Sequence, residues 1–205
     1  MHLPAEPSRD AARLVVLISG SGTNLQAILD ACASGELAAR VVAVVSNNPD
    51  AYGLERARRA AVPAVTYVKR KDQERRAYDA ALADIVAPYQ PHWVVLAGWM
   101  RILTSTFLDC FPNRIVNLHP ALPGAFPGLH AIERALDAYR RGEVAHTGVM
   151  VHLVPDEGVD SGPALAHEVV PICPEDTLES LSERMHTVEH RLLVATLKKL
   201  VQSRG

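Results

Sequence analysis

The strongest constraint on the fold is a repeated unit: a short apolar run, a turn, then apolar residues at helical spacing. Leu14-Val15-Val16-Leu17-Ile18 and Val41-Val42-Ala43-Val44-Val45 hold no polar residue, as expected of strands buried on both faces. A strand with one wet face would alternate instead. Trp93 to Ala97 is another such run, and Ala64 to Val68 reads as a brief further strand. Helical patterns fill the gaps. Leu25, Ile28, Leu29 and Cys32 recur before Gly35. Gly53 to Ala61 reads as a short helix whose Arg56, Arg58 and Arg59 form a solvated face. Glu74 to Ala87 turns Tyr78, Leu82, Ile85 and Val86 inward and is closed by Pro88. This alternation predicts an α/β fold with a doubly wound, mostly parallel sheet of about seven strands.

The second half changes character. Thr104 is expected to cap a helix running to about Cys110, and Arg114 to Asn117 to close a fifth strand. His130 to Arg141 reads as a helix ended by Gly142. Thr147 to Val154 alternates, with Val149, Val151 and Leu153 on one face, and Ala164 to Val170 follows as its hairpin-like partner. The sheet is therefore expected to end in an antiparallel extension. Asp176 or Thr177 caps a last helix with Leu178, Leu181, Met185, Val188, Leu192 and Leu193 inward.

Composition narrows the function. The 205 residues suffice for one domain with a substantial core. A net charge of -2 does not support a general nucleic-acid or membrane-surface binder. Cys32, Cys110 and Cys173 are odd in number and far apart, neither a disulfide framework nor a zinc spacing. No segment has the length of a membrane span or the form of a secretory signal. Residues 1–12 read as a short disordered tail, residues 13–205 as one domain, and the chain as a cytoplasmic protein.

Two stretches carry chemistry. Ser19-Gly20-Ser21-Gly22-Thr23-Asn24 joins a strand to a helix. Its glycines let backbone approach a ligand, and the free amides at the helix start attract an anion. It lacks the third glycine of a dinucleotide fingerprint and the Gly-Lys of a P-loop, so a ligand-free tight turn is the other reading. Asn117-Leu118-His119-Pro120 ends a strand, and alternation points Asn117 and His119 the same way. A carboxamide beside an imidazole suits oxyanion stabilisation and proton transfer; a polar strand end bonding its own loop is the alternative. Both stretches fall at the C-terminal strand edge, where such sheets bind ligands. Gly98-Trp99-Met100-Arg101-Ile102-Leu103 leaves the fourth strand at the same edge with an apolar wall.

These motifs, with Phe126-Pro127-Gly128-Leu129-His130 and Asp160-Ser161-Gly162-Pro163, occur in the order seen in phosphoribosylglycinamide formyltransferases, which the chain resembles over about residues 13–200. The resemblance implies transfer of a formyl group from the co-substrate 10-formyltetrahydrofolate to the amine of glycinamide ribonucleotide. Its partners would be small molecules, with no nucleic acid, membrane or metal, in a monomer or homodimer. It implies a phosphate-binding N-terminal half and a folate-binding C-terminal half. Asn117, His119 and Asp160 match the catalytic residues, with Asp160 raising the proton affinity of His119. Gly22, Thr23, Asn24, Met100, His186 and Glu189 match the ribonucleotide site. Arg101, Ile102, Leu103, Leu153, Val154, Asp156 and Glu157 match the folate site. Asp156 and Glu157 read equally well as solvated loop acids.

The sequence departs from the family pattern at Pro123-Gly124, at Met150 and by one residue near Pro155. Two relatives share the Asn-x-His…Asp set. A methionyl-tRNA formyltransferase is expected to add a C-terminal tRNA-binding domain, and a formyltetrahydrofolate deformylase an N-terminal regulatory one. A deformylase-like hydrolase and a non-catalytic folate-binding module are the alternatives. The phosphate turn speaks against the first, and the intact Asn117, His119 and Asp160 against the second.

Overall fold

The computed structural model describes residues 11–203. Among them, seven strands form one sheet: β1 (Ala12–Ile18), β2 (Ala39–Ser46), β3 (Ala64–Thr66), β4 (Trp93–Leu96), β5 (Ile115–His119), β6 (His146–Leu153) and β7 (Ala164–Pro171). The order across it is β3-β2-β1-β4-β5-β6-β7. Strands β1 to β5 run parallel, while β6 is antiparallel to both β5 and β7. The expected mixed sheet is thus what the chain forms. Of the expected tail, residues 1–10 lie outside the described residues; Ala12 belongs to β1, buried and paired with Ala39.

The helices are α1 (Thr23–Ser34), α2 (Tyr52–Arg59), α3 (Arg75–Val86), α4 (Ser105–Leu108), α5 (Ala131–Arg140) and α6 (Leu178–Gln202). Two cores result, one on each face of the sheet. Alternate residues Leu14, Val16 and Ile18 of β1 pack with α1, α2, α5 and α6, while Val15 and Leu17 pack with α3 and α4. This two-sided burial is why the strand runs are wholly apolar.

Several local expectations need correction. Strand β5 runs on through His119, two residues past Asn117. Thr104 precedes α4 without a side-chain cap; its Oγ1 is buried and unpartnered, and its amide is held by Asp79 at 2.6 Å. Leu178, the first residue of α6, is exposed, and the inward stripe begins at Leu181. Thr177 and Ser180 make a reciprocal capping box. Asp176 supports it from outside the helix, accepting from the Cys173 amide, the Ser180 hydroxyl and a bidentate Arg184.

The chain goes outward from β1 to β3, then returns to start β4 beside β1. That reversal opens a crevice at the carboxyl ends of β1 and β4. Ser19 bridges it: its amide donates to the Gly98 carbonyl at 3.0 Å, and its Oγ accepts from the Met100 amide at 2.8 Å.

Candidate active site

The turn after β1 is shaped by contact between glycines. Gly22 takes a left-handed conformation (φ 71°), and a Cβ on it would lie 2.6 Å from the Gly53 Cα. Gly53 in turn donates to the Gly20 carbonyl at 3.1 Å. A side chain at Gly22 would push the turn off α2. Gly22 also brings no side chain to cap α1, so the first-turn amides stay open to a ligand. Asn24 is turned toward α6: its Nδ2 donates to the buried Glu189 Oε2 at 2.9 Å, leaving its Oδ1 buried without a partner. His186 is exposed one helical turn before Glu189.

A cavity of about 630 Å³ opens beyond β4 and β5, within the range of small-molecule sites. Met100, Arg101, Ile102, Leu103, Asn117, His119, Val154, Asp156 and Asp160 all line it, as expected from the sequence. The Gly22–Asn24 turn, His186, Glu189, Leu153 and Glu157 do not. Leu153 packs into the α6-side core. Glu157 clamps the loop in place, accepting from the Ser105 amide at 3.0 Å and pairing with Arg75 at 3.7 Å. Asp156 accepts from the Gly158 amide two residues on, a turn of its own loop. The guanidinium of Arg101 stands 5.0 Å over the Tyr78 ring, and burial pushes the Tyr78 phenol up to about 12.

The floor of the cavity is a polar knot around Asp160. Asn117 donates to Asp160 Oδ1 at 3.0 Å, and the Gly128 amide to Oδ2 at 2.7 Å. His119 Nδ1 lies 3.2 Å from Oδ2, and His152 Nε2 3.5 Å from Oδ1. Burial pushes the Asp160 carboxyl up, but the His152 ring, the Gly128 amide and the His119 ring together hold it below the ordinary carboxylate range. Asp160 sits at φ 50°, and Phe126 and His130 nearby are also left-handed, so strain gathers around this loop.

His152 is the participant that sequence reasoning did not assign. It lies opposite Asn117 in the β5–β6 ladder. Its Nδ1 faces the Leu153 carbonyl at 2.8 Å, which assigns the proton to Nδ1 and leaves Nε2 to accept from Asn117 at 3.0 Å. Both hydrogens of the Asn117 amide are therefore engaged. The alternation of β6, which puts His152 on the face opposite Val151, was the available signal.

His119 departs from expectation. It is buried, and burial lowers its proton affinity by more than Asp160 and the Phe126 carbonyl restore. The balance lies below the ordinary histidine value, so the expected upward shift is reversed. Its Nε2 faces the Phe126 carbonyl at 3.1 Å, so each ring nitrogen meets an acceptor. Met150, opposite His119 in the ladder, is buried. With Pro123 and Gly124 it lines a second cavity of about 340 Å³ across the Asp160 loop, so these departures share one place. Pro155 presses against Gly162, where a Cβ would come within 2.9 Å of its Cδ.

Among the described residues, no three or more His, Cys, Asp or Glu side chains are grouped to hold a metal ion, and no helix is long and apolar enough to cross a membrane.

The chain matches the formyl transferase family over residues 12–197. It is 47% identical over 202 residues to a phosphoribosylglycinamide formyltransferase of Schizosaccharomyces pombe, covering 93% of this chain and 97% of that one. It is 45% identical over 200 residues to one of Dictyostelium discoideum, covering 91% and 97%. Among solved structures, glycinamide ribonucleotide transformylase 1 of Symbiobacterium toebii superposes with a TM-score of 0.89 at 45% identity, covering 96% of this chain and 91% of that one.

Proposed function

The chain belongs to the formyl transferase family, and on that premise we propose that it transfers the formyl group of 10-formyltetrahydrofolate to the primary amine of glycinamide ribonucleotide, a step of purine biosynthesis in the cytoplasm. The observation that carries this reading is the gathering of Asn117, His119 and His152 around one carboxylate, Asp160, at the floor of an apolar cavity next to an open helix N-terminus. The folate ring lies in the cavity against Met100–Leu103 and Val154. The ribonucleotide phosphate takes the amides at Gly22–Asn24, with His186 beside it and Glu189 on the ribose. The two substrates meet at Asn117 and His119.

The amine is itself the nucleophile, so no side chain need form a covalent intermediate. Its lone pair attacks the formyl carbon, a C–N bond forms, and the carbonyl electrons move onto oxygen. Asn117 gives that oxyanion the hydrogen it holds toward His152, because a charged acceptor outcompetes a neutral imidazole nitrogen. Protonated His119 donates to the same oxygen through Nε2, releasing the Phe126 carbonyl, while Asp160 balances its charge through Nδ1. Collapse returns the electrons to the carbonyl and breaks the bond to the folate nitrogen. That nitrogen leaves with a proton taken from His119, and the proton lost by the attacking amine passes by way of Asp160 to restore His119.

The test is release of tetrahydrofolate with and without glycinamide ribonucleotide. Release that depends on the ribonucleotide, with formylglycinamide ribonucleotide formed in equal amount, is the expected result. Equal release in its absence makes the enzyme a hydrolase and overturns the reading.

A further inference from the structure

The carbonyl that meets His119 Nε2 has a second, closer partner. Arg134, on α5, donates through Nη2 to the Phe126 carbonyl at 2.6 Å and to the Pro127 carbonyl at 2.6 Å. His119 Nε2 reaches the same Phe126 oxygen at 3.1 Å. Arg134 is half-buried, its Nε is enclosed without a partner, and its guanidinium carbon stands 6.0 Å from the centre of the Phe126 ring. Phe126 itself is held at φ 45°, a conformation a bulky residue rarely takes without outside support. One residue beyond Pro127, the Gly128 amide donates to Asp160. The segment 126–128 thus presents one backbone group to His119 and another to Asp160, and Arg134 fixes the two carbonyls before that amide.

We propose that Arg134 is a positioning residue for His119: it occupies the Phe126 carbonyl, so that Nε2 is held loosely and passes to the reacting oxygen, and it keeps segment 126–128 in the strained form that reaches Asp160. A carbonyl already bound to a guanidinium is a weaker acceptor for the imidazole proton, and the cation's field repels that proton. The charged and titratable groups facing His119 are Asp160 from the loop between β6 and β7, His152 from β6 and Arg134 from α5. Of these, Asp160 attracts the proton and the other two repel it. Arg134 therefore makes His119 a stronger acid, ready to give its proton away.

The experiment is a proton titration of His119 in the ligand-free full chain carrying imidazole-labelled histidine, read by NMR, with kcat and KM in parallel. In Arg134→Met the His119 midpoint is expected to rise by about half a unit to one unit. Turnover is expected to fall about tenfold, with each KM changing less than about threefold. Arg134→Lys, which keeps the charge but not the fork, is expected to restore at least half of the midpoint shift. A midpoint within about 0.2 units of the parent, or a loss confined to KM for the folate, overturns the proposal and leaves Arg134 a loop anchor only. Should Arg134→Met fail to fold, Arg134→Gln decides by the same midpoint, since it keeps a donor and drops the charge. The kcat arm rests on the reaction proposed above, but the titration does not. A moved midpoint without ribonucleotide-dependent transfer would sink that reaction and leave this inference standing.

Discussion

Asp160, in the loop before β7, and Asp176, before α6, are both enclosed, with side chains 11% and 3% exposed. Each has four partners. Those of Asp176 are the Cys173 amide, the Ser180 hydroxyl and both terminal nitrogens of Arg184, at 2.7 to 2.9 Å. Those of Asp160 are the Asn117 amide, the Gly128 amide and the rings of His119 and His152, at 2.7 to 3.5 Å. The first carboxylate is closed by a cation that never loses its charge. The second faces two imidazoles whose charge is conditional. Both carboxylates are held below the ordinary range, so a low proton affinity alone does not tell structure from chemistry. The partner's ability to change charge does.

The most severe way to break this contrast is Asp160→Asn. The amide nitrogen in place of Oδ1 would face the Asn117 donor, and protonated His119 would lose its counter-charge. Turnover is expected to fall about 10³- to 10⁴-fold, with folate still bound, as measured by single-turnover kinetics beside a folate titration. A loss below tenfold would put Asp160 in the same class as Asp176.

Asp176→Ala is the mirror experiment. It leaves Arg184 without its partner and removes negative charge from the start of α6. Breaking a buried pair costs about 3–5 kcal/mol. Arg184 is one-third exposed and can turn to water, so about 2–3 kcal/mol is expected from urea unfolding. Turnover per folded molecule should change less than about threefold, because the two carboxylates share no partner. A stability loss below about 0.5 kcal/mol would mean the clamp is ornamental.

The smallest effect sharpens the comparison by pH. The folded His119 binds its proton less readily than the unfolded chain does, so it adds stability above its ordinary value of 6.5 that is lost as pH falls below it. Asp176 and Asp160 are likewise depressed, so their contributions hold above the ordinary carboxylate value of 3.8 and fade only below it. Urea midpoints should therefore fall in two stages. His119→Asn should reduce the first stage and spare the second, although His190, depressed by burial, keeps part of the first. An identical first stage in the variant would show that the fold does not lower the proton affinity of His119.

The fold was legible because parallel strands buried on both faces leave apolar runs that local sequence cannot hide. Asn117 and His119 were legible for a related reason, since strand alternation fixes their common direction. Asp160 came from the family motif alone; nothing local marks a loop acid as the centre of a knot. His152 was readable as a strand residue but not as a partner of Asn117, because that depends on the register of two antiparallel strands. The Phe126 carbonyl carries no side-chain signature at all. The proton affinity of His119 was misjudged because a nearby carboxylate can be guessed from motifs, whereas the depth of burial follows only from packing. Thr104 failed for a simpler reason: a good capping residue does not act when its hydroxyl points into the core.

The antiparallel turn of β6 has a consequence for when the chain becomes competent. Strands β1 to β5 and the apolar segment Met100–Leu103 precede residue 146. Asn117 and His119 are therefore synthesised, and can be placed at their strand end, before His152 and Asp160 exist. Only when β6 runs back beside β5 do the last two members arrive, and only α6 brings Glu189 to Asn24. Activity is thus acquired last and all at once, a property that appears only when the final third of the chain has docked.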